Sequence, residues 1–176
     1  MKAYKPPKPF KIEENDVAIF LAGSINMGDS KDWQAEVTDK FKNMENVVIL
    51  NPRRDDWDSS WKQEITNDQF FTQVDWEHQG LEAADVIAMH FEGVNGKPIE
   101  KSLSPITLLE LGLFAGTNKV IVDCAKDYWR RGNVEYICHH YNIPLVDNMD
   151  DFLDLVDKRV KNLRVSKAFK PTRKGD

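Results

Sequence analysis

The sequence predicts a single α/β domain: about five mostly parallel strands in a doubly wound sheet, with helices on both faces. Three observations carry this expectation. Short, wholly apolar runs of strand length recur, as at residues 17–22 and 47–50, and strands buried on both faces read this way. Segments with helical spacing alternate with those runs. The 176 residues contain no internal repeat and no composition break that would mark a second domain, and one core accounts for that length.

Taken in order, residues 1–16 form a lead-in rich in Pro and Lys, followed by a folded domain over 17–163 and a basic tail over 164–176. The first strand, 17–22, is closed by Gly23-Ser24. Asp29 or Ser30 can cap a helix with Trp33, Val37 and Phe41 on one face. A second strand at 47–50 stops at Asn51-Pro52, and 51–61 reads as a loop. Residues 67–83 place Phe71, Val74, His78 and Leu81 at helical spacing, with His78 read as a core histidine. A third strand spans 85–91 and a loop 92–103. Ser104-Pro105 then opens a helix that runs to about Gly116, with Ser as N-cap and Pro at the first helical position. A fourth strand at 119–123, a short helix at 133–141, a fifth strand at 144–146 and an amphipathic helix at 150–163 complete a sheet of the flavodoxin or Rossmann kind.

Bulk properties narrow the function classes. Apolar residues make up 41% and charged residues 30%, with a net charge of −5; that composition is ordinary for a soluble globular protein and argues against a nucleic-acid partner, which calls for a basic face. Lys167, Lys170, Arg173 and Lys174 read as a solvated terminus. Cys124 and Cys138 lack the spacing of a disulfide framework or a zinc site and read as buried, reduced thiols. Residues 1–10 have no apolar core of a signal peptide, and no run approaches the ~20 residues of a membrane span, so a cytoplasmic protein with no membrane partner is expected. No cofactor or metal is implied: residues 23–28 lack the Gly-x-Gly-x-x-Gly and Gly-Lys-Ser/Thr patterns, and His139-His140 lack further ligands at metal spacing.

Ligands of a doubly wound sheet bind beyond the carboxyl ends of its strands, here the loops at 23–29, 51–61, 91–104 and 124–132. Gly23-Ser24 reads equally as a structural turn and as a close backbone approach to a sugar. Glu110 is the most informative carboxylate. It lies in Thr107-Leu108-Leu109-Glu110-Leu111-Gly112-Leu113-Phe114, so apolar that the helix reads as buried on most sides. A carboxylate there is costly unless it is used or hydrogen-bonded. Catalysis, a structural hydrogen bond and an exposed face all remain open for it. Asp75, Glu77 and Glu82 read as solvated, and Trp76 as core or interface.

Several segments in this order have a counterpart. Ile19-Phe20-Leu21-Ala22-Gly23-Ser24-Ile25, Asn51-Pro52-Arg53-Arg54-Asp55-Asp56-Trp57-Asp58, Gln73-Val74-Asp75-Trp76-Glu77, Ala84-Asp85-Val86-Ile87, Ser104-Pro105-Ile106-Thr107-Leu108-Leu109-Glu110-Leu111-Gly112 and Arg131-Gly132-Asn133-Val134 together resemble nucleoside 2-deoxyribosyltransferase-like proteins. The branch with the Asn-Pro-Arg-Arg-x-x-Trp-Asp loop is the nearest match, and the wider superfamily includes deoxynucleoside-monophosphate N-glycosidases. The resemblance implies that Glu110 is the nucleophile. Glu77, eight residues before Asp85, then acts on the leaving base, and Ser104, six before Glu110, holds the sugar or its phosphate. It also implies that Asn133 is lent across a subunit interface in a homo-oligomer, with Trp129 as a nearby anchor; capping the following helix is the alternative for Asn133.

Two departures pull in opposite directions. Phe20 stands where the family usually orients its nucleophile with a tyrosine. Ser104 is glycosidase-like, yet Asn26 replaces the arginine those glycosidases carry, which removes the strongest contact to a phosphate. The reaction implied is cleavage of the N-glycosidic bond of a 2′-deoxynucleoside through a covalent deoxyribosyl–Glu110 intermediate, with transfer to a free base. The binding set is Gly23, Ser24, Asn51, Arg53, Arg54, Asp56, Trp57, Ser104 and Asn133, in which Arg53, Arg54, Asp56 and Trp57 read the base and Arg54 alternatively pairs with Asp58. Hydrolysis of nucleosides or their 5′-monophosphates, and a non-catalytic nucleotide-sensing domain, are the competing readings.

Overall fold

The fold comes from a computed structural model, which describes residues 1–23, 32–54, 61–96, 98–101 and 103–169. Six strands form one parallel sheet in the order β1-β3-β2-β4-β5-β6. They are β1 (Lys2–Tyr4), β2 (Val17–Gly23), β3 (Val47–Leu50), β4 (Val86–Phe91), β5 (Val120–Cys124) and β6 (Leu145–Val146). Strands β2 to β5 are apolar and almost wholly buried, because helices cover both faces. The helices are α1 (Trp33–Phe41), α2 (Asp68–Ala83), α3 (Pro105–Phe114), α4 (Arg131–Tyr141) and α5 (Met149–Ala168).

Two apolar clusters flank the sheet. Trp33, Val37 and Phe41 of α1 pack with Phe152, Val156 and Val160 of α5 against Ile19, Leu21, Ile49, Ala88 and Ile121. On the other face α2, α3 and α4 contribute Trp76, Leu81, Leu111, Phe114, Val134 and Cys138, packed on Phe20, Leu50, Ile87, Met89 and Phe91. The chain leaves β2 toward β3 and leaves β4 toward β5, so the connections diverge between β2 and β4. That divergence is the point where sheets of this topology bind ligands.

The fold class stands as read, with differences at its edges. A sixth strand, β1, lies in the lead-in and pairs in parallel with β3, Ala3 opposite Ile49. The rest of the lead-in packs too: Phe10 meets Trp76 edge-on with ring centroids 5.5 Å apart, and the Lys8 carbonyl accepts Trp76 Nε1 at 2.8 Å. Three residues of strand carry too little periodicity to be seen in a Pro-rich run. Helix α1 is capped by Asp32, whose side chain accepts from Ala35 N at 3.0 Å; Asp29 and Ser30 lie outside the described residues. Helix α5 continues to Ala168, where Lys167 Nζ reaches Asp85 Oδ2 at 2.8 Å and the Asp16 carbonyl at 2.6 Å. No helix among the described residues is long and apolar enough to cross a membrane. Cys124 and Cys138 are buried free thiols, each pushed up to about 12 by burial.

Two expectations about helix faces are overturned. Of Phe71, Val74, His78 and Leu81, only Leu81 is buried; Phe71 and Val74 are exposed, and His78 lies on the surface with Nε2 3.5 Å from Glu82. The face of α2 that packs is Gln73, Trp76, Gly80 and Leu81. Gly80 sets it: a Cβ there would lie 2.9 Å from the Phe20 ring, so the helix approaches β2 on its glycine side. Helix α3 likewise buries Thr107, Leu111 and Phe114 but leaves Ile106, Leu109 and Leu113 outward, 60, 59 and 61% exposed. It is not buried on most sides.

Candidate active site

The face that α2 packs inward follows the spacing 73, 76, 77, 80, 81, one stripe of an α-helix. Glu77 therefore sits on the inner stripe rather than in solvent. Asn67 starts this helix, its side chain accepting from Phe70 N at 2.9 Å. On α3, Glu110 occupies the stripe of Thr107, Leu111 and Phe114, so it also turns inward.

The two carboxyls are half-buried and interact. Burial raises the Glu77 carboxyl above its ordinary 4.5, against a hydrogen bond from Gln73 that favours the charged form. Burial raises Glu110 further, to about 8, and the charge of Glu77 adds to that shift. Two carboxylates that repel across a poorly solvated gap share a proton rather than both ionising. Burial and their mutual repulsion thus disfavour ionising both carboxyls at once.

Gln73 is the residue that sequence reasoning missed. Its Nε2 donates to Glu77 Oε1 at 2.7 Å and to the Pro52 carbonyl at 2.9 Å. A single buried amide thus ties the loop after β3 to a carboxylate on α2. The one available signal was a glutamine four residues before an acidic residue on a helix.

That loop is turned by Asn51, whose Oδ1 accepts from Arg53 N at 3.0 Å. Asn51 is therefore committed to its own turn. Arg53 reaches the cap of α1, Nη1 to Asp32 Oδ2 at 3.3 Å. Arg54 stacks over the Trp61 ring, 4.7 Å from its centroid; Asp58, its alternative partner, lies outside the described residues, as do Ser24, Asn26, Asp56 and Trp57. Gly23 ends β2 with no room for a side chain, since a Cβ would lie 2.5 Å from the His90 carbonyl and 2.8 Å from Trp33. Phe20 is buried beneath Gly80, its ring 6.4 Å from that of Trp76. It fills core space and brings no hydroxyl to Glu110.

Ser104 takes the N-cap position of α3, but its side chain makes no capping bond, contrary to the expectation. Its backbone is left-handed, φ 44° and ψ 48°, a conformation costing a non-glycine residue about 1–2 kcal/mol. The loop after β5 holds it there. Tyr128 Oη and Trp129 Nε1 both donate to the Leu103 carbonyl, at 2.9 and 3.1 Å, and Asp127 Oδ2 accepts Asn95 N at 2.7 Å. The same loop is braced by Arg131, which donates to the Cys124 carbonyl and pairs with Glu135. Helix α4 begins just beyond the clamp. Asn133 lies exposed in its first turn, with Arg130 in the N-cap position, so Asn133 does not cap the helix.

The described geometry thus joins Glu77 to the Asn51–Arg54 turn through Gln73 and brings Glu110 within electrostatic reach of Glu77. It sets the starts of α3 and α4 side by side and gives no contact from Asn133 to the carboxylates. Two neighbouring carboxyls, both raised by burial, can supply an acid and a nucleophile to one glycosidic bond.

Residues 16–128 match the family model described as nucleoside 2-deoxyribosyltransferase like. No curated protein matches the sequence. In fold, the chain is similar to a conserved protein from Enterococcus faecalis V583, with a TM-score of 0.56 at 11% identity over 82% of this chain and 99% of that one. The match covers both the Gln73–Glu77 and the Glu110 segments and exceeds half of the sequence: the chain belongs to the nucleoside 2-deoxyribosyltransferase-like family.

Proposed function

We propose that this protein cleaves the N-glycosidic bond of a 2′-deoxynucleoside by double displacement and passes the sugar to a second base. The observation that carries the reading is the pair of half-buried, inward-turned carboxyls, Glu77 and Glu110, whose charges interact. Glu110, ionised, attacks C1′ as the bond to the base breaks; Glu77 gives its proton to the departing base nitrogen. The electron pair of the broken bond leaves with the base, and a covalent deoxyribosyl ester forms on Glu110. A second base, deprotonated by Glu77, then takes C1′ and regenerates the pair.

The productive complex needs Glu110 ionised and Glu77 protonated, whereas burial and the charge of Glu77 hold the Glu110 carboxyl up at about 8 in the empty site. Substrate binding must therefore favour the ionised form of Glu110. Cation character at C1′ favours an ionised Glu110, and a base that displaces water around Glu77 favours its neutral form. Gln73 can serve either state, since its amide fixes the Glu77 carboxyl in place. Arg53 and Arg54 present flat cationic groups for the base, and Ser104 and Asn133 contact the sugar or its substituents.

The exposed Ile106, Leu109 and Leu113 stripe supports a homo-oligomer, because it lies on the outer side of the helix that carries Glu110. Under this reading the second copy lends its Asn133 to the site.

The decisive experiment supplies a deoxynucleoside donor and an isotopically labelled free base, with products identified by mass. Label entering the nucleoside pool is expected. Free deoxyribose accumulating with no label incorporated overturns transfer in favour of hydrolysis, the reading that the glycosidase-like Ser104 supports. Nucleoside binding with no bond cleavage overturns both.

A further inference from the structure

Across the carboxyl ends of the three central strands lie Gly23, His90 and Asp123, each opposite the next in register. The carboxylates proposed for catalysis lie on the α2–α3 side of the sheet. Met89 and Phe91 point to that side, and by strand alternation His90 points to the other. There its ring packs tilted against Trp33, centroids 5.2 Å apart. Its Nδ1 is 2.8 Å from Asp123 Oδ2. The Asp123 side chain is only 5% exposed and that of His90 15%.

The pair is more than a core hydrogen bond. The layer around it is apolar, built from Val86, Ala88, Ile121 and Phe152, so placing a carboxylate there costs free energy that a hydrophobic residue would avoid. The other Asp123 oxygen, Oδ1, is buried with no partner among the described residues, which native interiors seldom tolerate. His90 Nε2 has no hydrogen-bond partner among them either, its sole polar contact being through Nδ1. A carboxylate on Nδ1 fixes the tautomer with the proton there and turns Nε2 outward as an acceptor. His90 itself flanks the divergence between β2 and β4, opposite Gly23, where ligands bind in such sheets.

We propose that His90, oriented by Asp123, is a substrate-binding residue that accepts a hydrogen bond from a sugar hydroxyl. This rests on the nucleoside reading above and extends it to the far side of the strand ends. The pair carries a charge of −1 when His90 is neutral and 0 when it is protonated. It is never net positive, so it suits an uncharged O–H donor better than a phosphate. The sugar then spans the edge of the sheet, with C1′ toward Glu110 and a hydroxyl toward Nε2.

The test uses 2′-deoxyadenosine and thymidine as donors, with their 3′-deoxy and 5′-deoxy analogues. Asparagine at position 90 keeps a donor for Asp123 but has no atom at Nε2; glutamine keeps an atom there. His90→Asn is expected to lower kcat/KM on the parent donors by about tenfold, mainly through KM. On the analogue lacking the contacted hydroxyl it should cause no further loss, which also identifies the hydroxyl as 3′ or 5′. His90→Gln should recover part of the loss. Equal losses on parent and both analogues overturn the proposal, since a merely structural histidine would act alike on all. If the variants do not fold, nitrogen NMR of the wild-type imidazole decides. Nε2 should shift on adding a parent nucleoside and not on adding one analogue, and no shift with any nucleoside overturns the contact. A wild-type protein that turns over no donor counts against the proposed reaction, while the same NMR titration still judges His90.

Discussion

Replacing Glu110 with glutamine should stabilise the protein, and only at high pH. The carboxyl is raised to about 8 in the folded chain against an ordinary 4.5, through burial and the charge of Glu77. Between those two values the native state binds more protons than the unfolded state, so stability falls as pH rises through the window. The favourable contribution of the protonated carboxyl is complete below about 4.5 and gone above about 8. A displacement of that size corresponds to about 5 kcal/mol. Solvent reaching a half-buried group screens roughly half of it, leaving about 2 kcal/mol. Glutamine stays neutral at every pH and has nearly the same shape. Urea unfolding of the two proteins should therefore coincide near pH 5 and differ by about 2 kcal/mol near pH 9, with Glu110→Gln the more stable. An offset of equal size at both pH values would show that Glu110 titrates normally and would remove the proton-sharing pair. The same variant should lose turnover by a factor on the order of 10³ or more, as expected when a covalent nucleophile is deleted.

The same pair predicts a bell-shaped kcat/KM, whose alkaline limb falls near 8 as the shared proton is lost; an activity that keeps rising through pH 9 argues against Glu77 as an acid. Glu77→Gln should slow natural deoxynucleosides strongly and an activated nitrophenyl-type deoxyriboside weakly, whereas equal slowing of both would assign Glu77 a structural role. Leu109→Asp places a charge in the exposed stripe and should shift the protein toward monomer in analytical ultracentrifugation, with activity falling in step; a fully active monomer counts against a shared site. Tyr128→Phe leaves the Leu103 carbonyl with Trp129 alone and should cost about 1 kcal/mol in unfolding. Under the proposed reaction it also lowers kcat more than it raises KM, because it loosens the start of the helix that carries Glu110.

Much of the fold was legible because its signals are local and strong. Runs such as Val17–Gly23 and Val120–Cys124 are buried on both faces and need no partner information to be read. The Ser104-Pro105 start of α3 followed from the fixed φ of proline and its missing N–H. The left-handed backbone of Ser104 did not, since it depends on Tyr128 and Trp129, which lie in another loop. β1 was hidden for a similar reason: its three residues become a strand through pairing with β3, not through their own pattern.

The helices of the site were misread in one consistent direction, and that direction carries information. Periodicity arguments assign the apolar stripe inward and the charged residues outward. On α2 the inner stripe carries Gln73 and Glu77, while Phe71 and Val74 face out; on α3 it carries Glu110, while Ile106, Leu109 and Leu113 face out. The body of α5 and the whole of α1 show nothing comparable: Trp33, Val37, Phe152 and Val156 are buried, and Val165, which is exposed, lies in the last turn of α5. A stable monomer gains nothing from either inversion: desolvating two carboxyls costs free energy, and so does wetting three leucine-sized side chains. Violations of local rules gather where function offsets them. Both inversions fall on the two helices that hold the carboxyl pair, and one arrangement accounts for both. Under the proposed function, a substrate cleft on the inner side would use the acids, and a second copy on the outer side would cover the apolar stripe. Separating the two should then be impossible by mutation of α3, because its two stripes share one short helix. A charge introduced at Leu109 would disturb assembly and, one residue away, the position of Glu110.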